Sequence, residues 1–203
     1  MVLLLLAING SPRLAGNTAY LLLSMQEVVE SLGAGFKFLQ VTEILAGQKV
    51  PFCVACSHPC EGKCYQGTRL AEAFDIMRGA DAIIIGSPVY FGAISAPLKA
   101  LWDKTRVFRR EKALLNIVGG AVAVGGVRFG GQELTVRGIQ DLMLSQGMTV
   151  VGDWWLEDEA GHMGVCAQSP ANKDAEGLER IRVLAKRVVE VARATQGLRR
   201  KSR

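Results

Sequence analysis

Two runs of uninterrupted apolar residues, each passing straight into a turn, restrict this chain more than any other feature of its 203 residues. Val2 to Ile8 ends in Asn9-Gly10-Ser11-Pro12, and Ala82 to Ile85 ends in Gly86-Ser87-Pro88. A strand with one face in water alternates apolar and polar residues. A run without alternation needs apolar cover on both faces, as in a parallel sheet flanked by helices. The intervening segments supply those helices. Residues 17–32 place Leu21, Leu22, Met25, Val28, Val29 and Leu32 on one face, and Gly33 ends the pattern.

The remaining elements follow the same alternation. Gly35 to Val41 reads as a strand, Leu70 to Arg78 as a short helix, and residues 97–105 as a helix opened by Ser95, with Pro97 where a missing N–H is tolerated. A fourth strand lies within Leu114 to Val124, although Gly119-Gly120 interrupts its pattern. A helix over 132–146, a strand at 148–152 and a helix over 174–194 complete the series. Strands alternating with helices imply right-handed crossovers. The expected fold is α/β: a flavodoxin-like, doubly wound, five-stranded parallel sheet of order 2-1-3-4-5. One domain would span 1–196, with a cysteine-rich loop insert at about 45–67 and a basic tail at 197–203.

Several basic residues behind the net charge of +5 fall in Arg199-Arg200-Lys201-Ser202-Arg203, a solvated tail that marks no nucleic-acid surface. The N-terminal apolar run is too short to cross a membrane and carries no cleavage pattern of a secretory leader. A cytoplasmic protein with no membrane or nucleic-acid partner is expected. Four of the five cysteines fall between positions 53 and 64, which in a reducing compartment suggests metal or cluster ligation before structural disulfides.

In such a sheet a ligand sits beyond the carboxyl ends of the strands, where the strand order reverses, so three loops should share one site. The first, Asn9 to Thr18, offers successive backbone N–H groups, the Ser11 and Thr18 hydroxyls, the Asn17 amide and the Arg13 guanidinium at the start of a helix, a set suited to a dianionic phosphate. It has neither the lysine of a Walker loop nor the glycine spacing of a dinucleotide fold. The bland alternative is a β-to-α turn with Asn17 as N-cap. In the second loop, Pro88, Val89, Tyr90, Phe91 and Gly92 can pack on a planar ring while backbone amides bond its polar edge. The alternative there is that the aromatics cap the core or an interface. The third loop, with Gly126, Arg128 and Gly130, permits close backbone approach and supplies a positive charge for an anionic ring or a substrate phosphate.

Asn-Gly-Ser-Pro-Arg…Gly-Asn-Thr, Gly-Ser-Pro-Val-Tyr-Phe-Gly…Pro-Leu-Lys…Trp-Asp-Lys-Thr and Gly-Gly-x-Arg-x-Gly-Gly-Gln-Glu, in this order, resemble the NADPH-dependent FMN reductase superfamily and, within it, the iron–sulfur flavoproteins. The resemblance covers almost the whole chain. It implies FMN phosphate contacts from Ser11, Arg13, Asn17 and Thr18, isoalloxazine contacts from Pro88, Val89, Tyr90, Phe91 and Gly92, and further flavin contacts from Gly126, Arg128 and Gly130. It also implies a homodimer or homotetramer.

Cys53-x2-Cys56-x3-Cys60-x3-Cys64 offers four soft thiolates that suit one [4Fe–4S] cluster; zinc, or free and redox-active thiols, are the alternatives. The iron–sulfur flavoproteins that the chain resembles carry a four-cysteine group at this place in the fold, with a middle gap one residue shorter. His58 lies inside the group but is not needed as a ligand. His162 is a minor candidate for flavin proximity, Cys166 reads as a small buried or partly buried thiol, and Trp154 and Trp155 as core or interface packing.

No catalytic triad, paired carboxylates or Walker lysine emerges, so the chemistry belongs to the cofactor. The leading expectation is an FMN-dependent oxidoreductase that passes electrons between a [4Fe–4S] cluster and FMN. Its partner would be a small-molecule or ferredoxin-type donor or acceptor, with NAD(P)H as one donor. The alternatives are a cluster-free NAD(P)H-dependent FMN or quinone reductase, and a non-enzymatic flavin-binding electron carrier or redox sensor.

Overall fold

The structure, a computed structural model, describes residues 2–199. Its centre is a parallel sheet of strands β1 (Leu4–Asn9), β2 (Gly35–Gln40), β3 (Ala82–Pro88), β4 (Val118–Gly125), β5 (Thr149–Val150) and β6 (Val165–Gln168). The order is β2-β1-β3-β4-β5, with β6 also paired to β4. The expected topology is therefore present, and its fifth position is shared by two pieces. β5 pairs with Val118 and Gly119 at one end of β4, and β6 pairs with Val122 to Gly125 at the other. Residues 151–164 loop out between them.

Helices cover both faces. On one side α1 (Asn17–Leu23), α2 (Gln26–Ser31) and α8 (Ala175–Ala194) pack against Leu5, Ala7, Ile84, Val122 and Ala167. On the other, α3 (Val41–Leu45), α4 (Arg69–Gly79), α5 (Ala96–Lys104), α6 (Arg106–Glu111) and α7 (Gln132–Leu144) meet Leu6, Ile8, Ile83, Ile85 and Ala121. Neighbouring residues of one strand thus feed opposite layers, which is why the runs that opened the sequence show no alternation.

Local chemistry places the helix ends. The Ser95 and Thr68 hydroxyls accept the N–H groups of Leu98 and Leu70 at the starts of α5 and α4, and Asp174 accepts the Gly177 N–H at the start of α8. The single helix expected over 17–32 is two. The Ser24 hydroxyl donates to the Leu21 carbonyl at 2.7 Å, and the chain restarts at Gln26 while Leu21, Leu22, Met25 and Val29 stay buried across the break. Short helices at Val41–Leu45 and Arg106–Glu111 were not foreseen.

The interruption at Gly119-Gly120 has a packing cause. A Cβ on Gly119 would lie 2.6 Å from the Met143 sulfur of α7, and one on Gly120 3.1 Å from Leu184 of α8, so the two glycines let helices close on both faces of β4. The solvated tail needs correction. Asn116 donates to the Leu198 carbonyl, and Arg199 is buried with its guanidinium 3.3 Å from Asp81, so the fold continues through Arg199. Residues 200–203 lie outside the described residues. Among the described residues no helix is long and apolar enough to cross a membrane.

Candidate flavin site and cysteine loop

The turn after β1 is held from below by buried side chains. The Asn9 amide donates to Gln40, whose own amide donates to the Ser11 carbonyl at 2.7 Å, and the Ser11 N–H returns to Asn9 Oδ1 at 3.0 Å. This closed set fixes the turn's direction, because each buried polar atom in it has one geometry that satisfies it. Ser11 is buried and its hydroxyl accepts the Arg13 N–H, while the Arg13 side chain stands exposed with no ion-pair partner recorded among the described residues. The turn ends at Gly16, which caps α1 without a side-chain bond, leaving the first N–H groups of that helix without a side-chain cap. Asn17 is therefore the first helical residue and not the N-cap.

The second loop is tied to the first and the third. Gly10 donates to the Gly86 carbonyl at 2.8 Å, the Ser95 hydroxyl donates to the Gly10 carbonyl, and the Ser95 N–H donates to the Ser87 hydroxyl at 3.0 Å. Gly10 fits because a Cβ there would meet Leu98 at 2.8 Å and the Gly86 carbonyl oxygen at 2.9 Å. Between these ties the chain makes a tight reversal in which Tyr90 and Ala93 bond each other and Phe91 takes a positive φ of 51°, with its ring fully exposed. In the third loop Phe129 does likewise, at φ 57° and with the Arg128 guanidinium 4.9 Å from its ring centroid. The two loops touch at Gly92 and Gly131, where a Cβ on Gly131 would come 2.9 Å from the Gly92 Cα.

Ser11, Arg13, Asn17 and Thr18 thus share one turn, and Pro88–Gly92 and Gly126–Gly130 stand beside it at the same edge of the sheet. One side chain has a different task from the one expected. The Asn17 amide donates to the Ser169 hydroxyl at 2.9 Å and its oxygen accepts the Ala171 N–H at 2.9 Å, so it joins the turn after β1 to a fourth loop, after β6. That loop escaped the sequence reading because β6 is four residues long, and its one signal is the Ser169-Pro170 pair behind it.

The cysteine insert runs from α3 to α4 with almost no regular structure. Cys53, Cys56, Cys60 and Cys64 nevertheless line a single cavity of 540 Å³, closed on one side by Lys104 and Arg106 from the junction of α5 and α6. Arg106 secures the loop by donating to the Ser57 carbonyl at 2.8 Å. Burial pushes the Cys64 thiol up, Lys104 opposes the rise, and Cys56, Cys60 and Cys53 add to it. Among the described residues no three His, Cys, Asp or Glu side chains stand in metal-holding geometry. The donor set itself, four soft sulfurs on one cavity, has the number and softness that a [4Fe–4S] cluster or a tetrathiolate zinc requires.

The late loop behaves differently from expectation. Cys166 sits on the outward face of β6, and Trp154 is about half exposed and not part of the core. At the base of the loop the fully buried Asp153 accepts the His162 N–H at 2.7 Å and Arg180 Nε at 2.6 Å, which latches residues 153–162 to α8. His162, Cys166, Glu133 and Arg180 share a separate cavity of 290 Å³ there.

A parallel sheet of this order, with four loops converging at the carboxyl ends of its strands, defines a flavodoxin-like protein. The flavodoxin-like WrbA-like protein of Agrobacterium tumefaciens has this fold: it superposes with a TM-score of 0.65 at 18% identity, covering 96% of this chain and 99% of that one. Residues 3–162 match the family of NADPH-dependent FMN reductases. An iron–sulfur flavoprotein of Methanocaldococcus jannaschii is 40% identical over 194 residues, which cover 93% of this chain and 96% of the relative. One from Methanosarcina thermophila is 36% identical over 192 residues, 93% and 95% of the two chains. The chain belongs to the NADPH-dependent FMN reductase family and, within it, to the iron–sulfur flavoproteins, and is an FMN-dependent oxidoreductase.

Proposed function

We propose that this protein is a two-centre electron-transfer oxidoreductase, with FMN at the four loops and a [4Fe–4S] cluster on Cys53, Cys56, Cys60 and Cys64. The observation that carries the reading is the shared cavity: a loop with little regular structure of its own brings four thiols to one space, beside a helix whose first turn is bonded to the phosphate turn through Ser95. The relatives from Methanocaldococcus jannaschii and Methanosarcina thermophila are named for both centres. FMN exchanges electrons in pairs or singly and a cluster exchanges them one at a time, so a protein holding both connects one-electron and two-electron partners.

The chain's own residues bind and orient. Ser11 and Thr18 offer hydroxyls to the phosphate, Asn17 offers its backbone N–H because its amide is engaged, and Arg13 brings an exposed guanidinium that has no ion pair among the described residues. Pro88, Val89, Tyr90, Phe91 and Gly92 form one side of the ring site, and Gly126, Arg128 and Gly130 the other, with Arg128 a fixed positive charge for a reduced ring. Phe91 and Phe129 stand exposed beside this site, and a second copy of the chain in a homodimer or homotetramer would cover them. The protein would work in the cytoplasm, with NAD(P)H or a ferredoxin-type carrier as donor.

Anaerobic preparation followed by absorption spectroscopy with iron and labile-sulfide analysis tests the assignment. Flavin bands over a broad cluster shoulder, with about four irons per FMN, are expected. Zinc alone or no metal would remove the cluster from the account. Rapid NADPH oxidation with a quinone would then favour the cluster-free reductase.

A further inference from the structure

The cysteine cavity has an unusual charge inventory. Lys49, Lys63, Lys104 and Arg106 line it and, among the described residues, no carboxylate does, so the four cysteines are the groups in its described wall able to carry negative charge. Three of the cations are otherwise accommodated. Lys49 is exposed, Lys63 pairs with Glu61, and Arg106 bonds the Ser57 carbonyl and approaches His58. Lys104 differs: it ends α5 among the buried residues Leu101 and Trp102, is 96% buried, and has no hydrogen bond or ion pair recorded among the described residues. Its stem is buried against α5 while the residue lines the cavity that the four cysteines share, and a cation held at such a place is favoured where an anion meets it. Four neutral thiols do not provide one. A centre held by four thiolates does, since even with its metal charge it carries a net negative charge.

We infer that Lys104 is the counter-ion of the cysteine-bound centre, a positioning residue that sets the centre's reduction potential through its charge. This rests on the cluster reading above and adds to it the residue that tunes electron flow. A positive charge at the cavity wall favours the form with the extra electron, so Lys104 raises the potential of the centre. Nothing in this role requires Lys104 to touch FMN or substrate.

Potentiometric titration followed by electron paramagnetic resonance, on anaerobically prepared wild type, Lys104→Met and Lys104→Arg, tests the inference. Lys104→Met is expected to keep its FMN and iron but to lower the midpoint potential of the cluster by at least a tenfold change in its reduction equilibrium, 59 mV for one electron. Lys104→Arg should stay near wild type, and the flavin potential should not move. An iron-loaded Lys104→Met protein with the wild-type cluster potential would overturn the inference while leaving the cluster assignment standing. Wild type without iron and sulfide would instead remove the reading beneath it. If Lys104→Met does not fold, Lys104→Gln takes its place in the titration. Loss of iron from neutral variants that retain FMN, reversed in Lys104→Arg, supports the counter-ion role. Equal loss in all three variants refutes it.

Discussion

Gly131 is the position at which one methyl group should separate two loops of the flavin site. Its φ of +95° lies beyond the left-handed well that L-residues reach at modest cost, so alanine there loses about 1–2 kcal/mol to backbone strain. The added Cβ would also lie 2.9 Å from the Gly92 Cα, a backbone atom that cannot rotate away, and relieving such overpacking costs about 1–3 kcal/mol. Together these give about 2–5 kcal/mol. For a domain of this size each kcal/mol lowers Tm by roughly 2–4 °C, so Gly131→Ala should melt roughly 4–20 °C below wild type. Part of the strain is relieved by moving the third loop from the second. FMN affinity should then fall about tenfold for each 1.4 kcal/mol spent on that separation.

Two other glycines provide the controls. A Cβ on Gly126 would meet nothing within 4 Å, and Gly126→Ala should change Tm by less than about 2 °C, in keeping with surface substitutions worth about 0.5 kcal/mol. Gly92 has a positive φ of +71°, but a Cβ there would meet only Leu134 at an ordinary 3.5 Å, so Gly92→Ala isolates the backbone strain from the collision. Differential scanning calorimetry and titration of FMN by fluorescence quenching read all three variants. If Gly131→Ala melts and binds like Gly126→Ala, or no worse than Gly92→Ala, the contact between the loops does not govern the site.

Asn17→Leu removes both 2.9 Å bonds between the turn after β1 and the loop after β6, at about 1–3 kcal/mol for two hydrogen bonds. It should weaken FMN binding and speed amide hydrogen exchange over residues 169–173, and unchanged exchange there would refute the tie. Although Cys166 lies on the outward face of β6, it lines the cavity shared with Glu133 and Asp153, and the partial loss of water there together with those carboxylates pushes its thiol up to about 11, so at pH 8 almost all of it is protonated and unreactive. Alkylation by iodoacetamide, followed by mass spectrometry of its peptide, should accelerate about tenfold per pH unit beyond pH 9 and level off near 11. A plateau by pH 9 would contradict that environment.

Much of the fold was legible because the signals were local. The apolar runs Val2 to Ile8 and Ala82 to Ile85 became β1 and β3, and Ser95 with Pro97 opened α5 where its chemistry placed it. Gly119-Gly120 misled as a break because its cause, the approach of Met143 and Leu184 from opposite faces, lies in side chains far along the chain. β6 was missed for a related reason: its four residues pair with β4 across a long excursion, and so short a strand shows little periodicity of its own.

The same division runs through the site. Residue types and order alone singled out the turn after β1, the aromatic and glycine loops and the four cysteines as candidates, since anion binding at a helix start and soft metal ligation each demand particular groups at close spacing. Tertiary structure decided which groups are free to act. It turned the Asn17 amide away to Ser169, joined Arg199 to Asp81, and set Lys104 against the cysteine cavity from a helix about forty residues downstream. The sequence states a side chain's chemistry, whereas its partners and its distance from water depend on segments brought together only when the sheet closes.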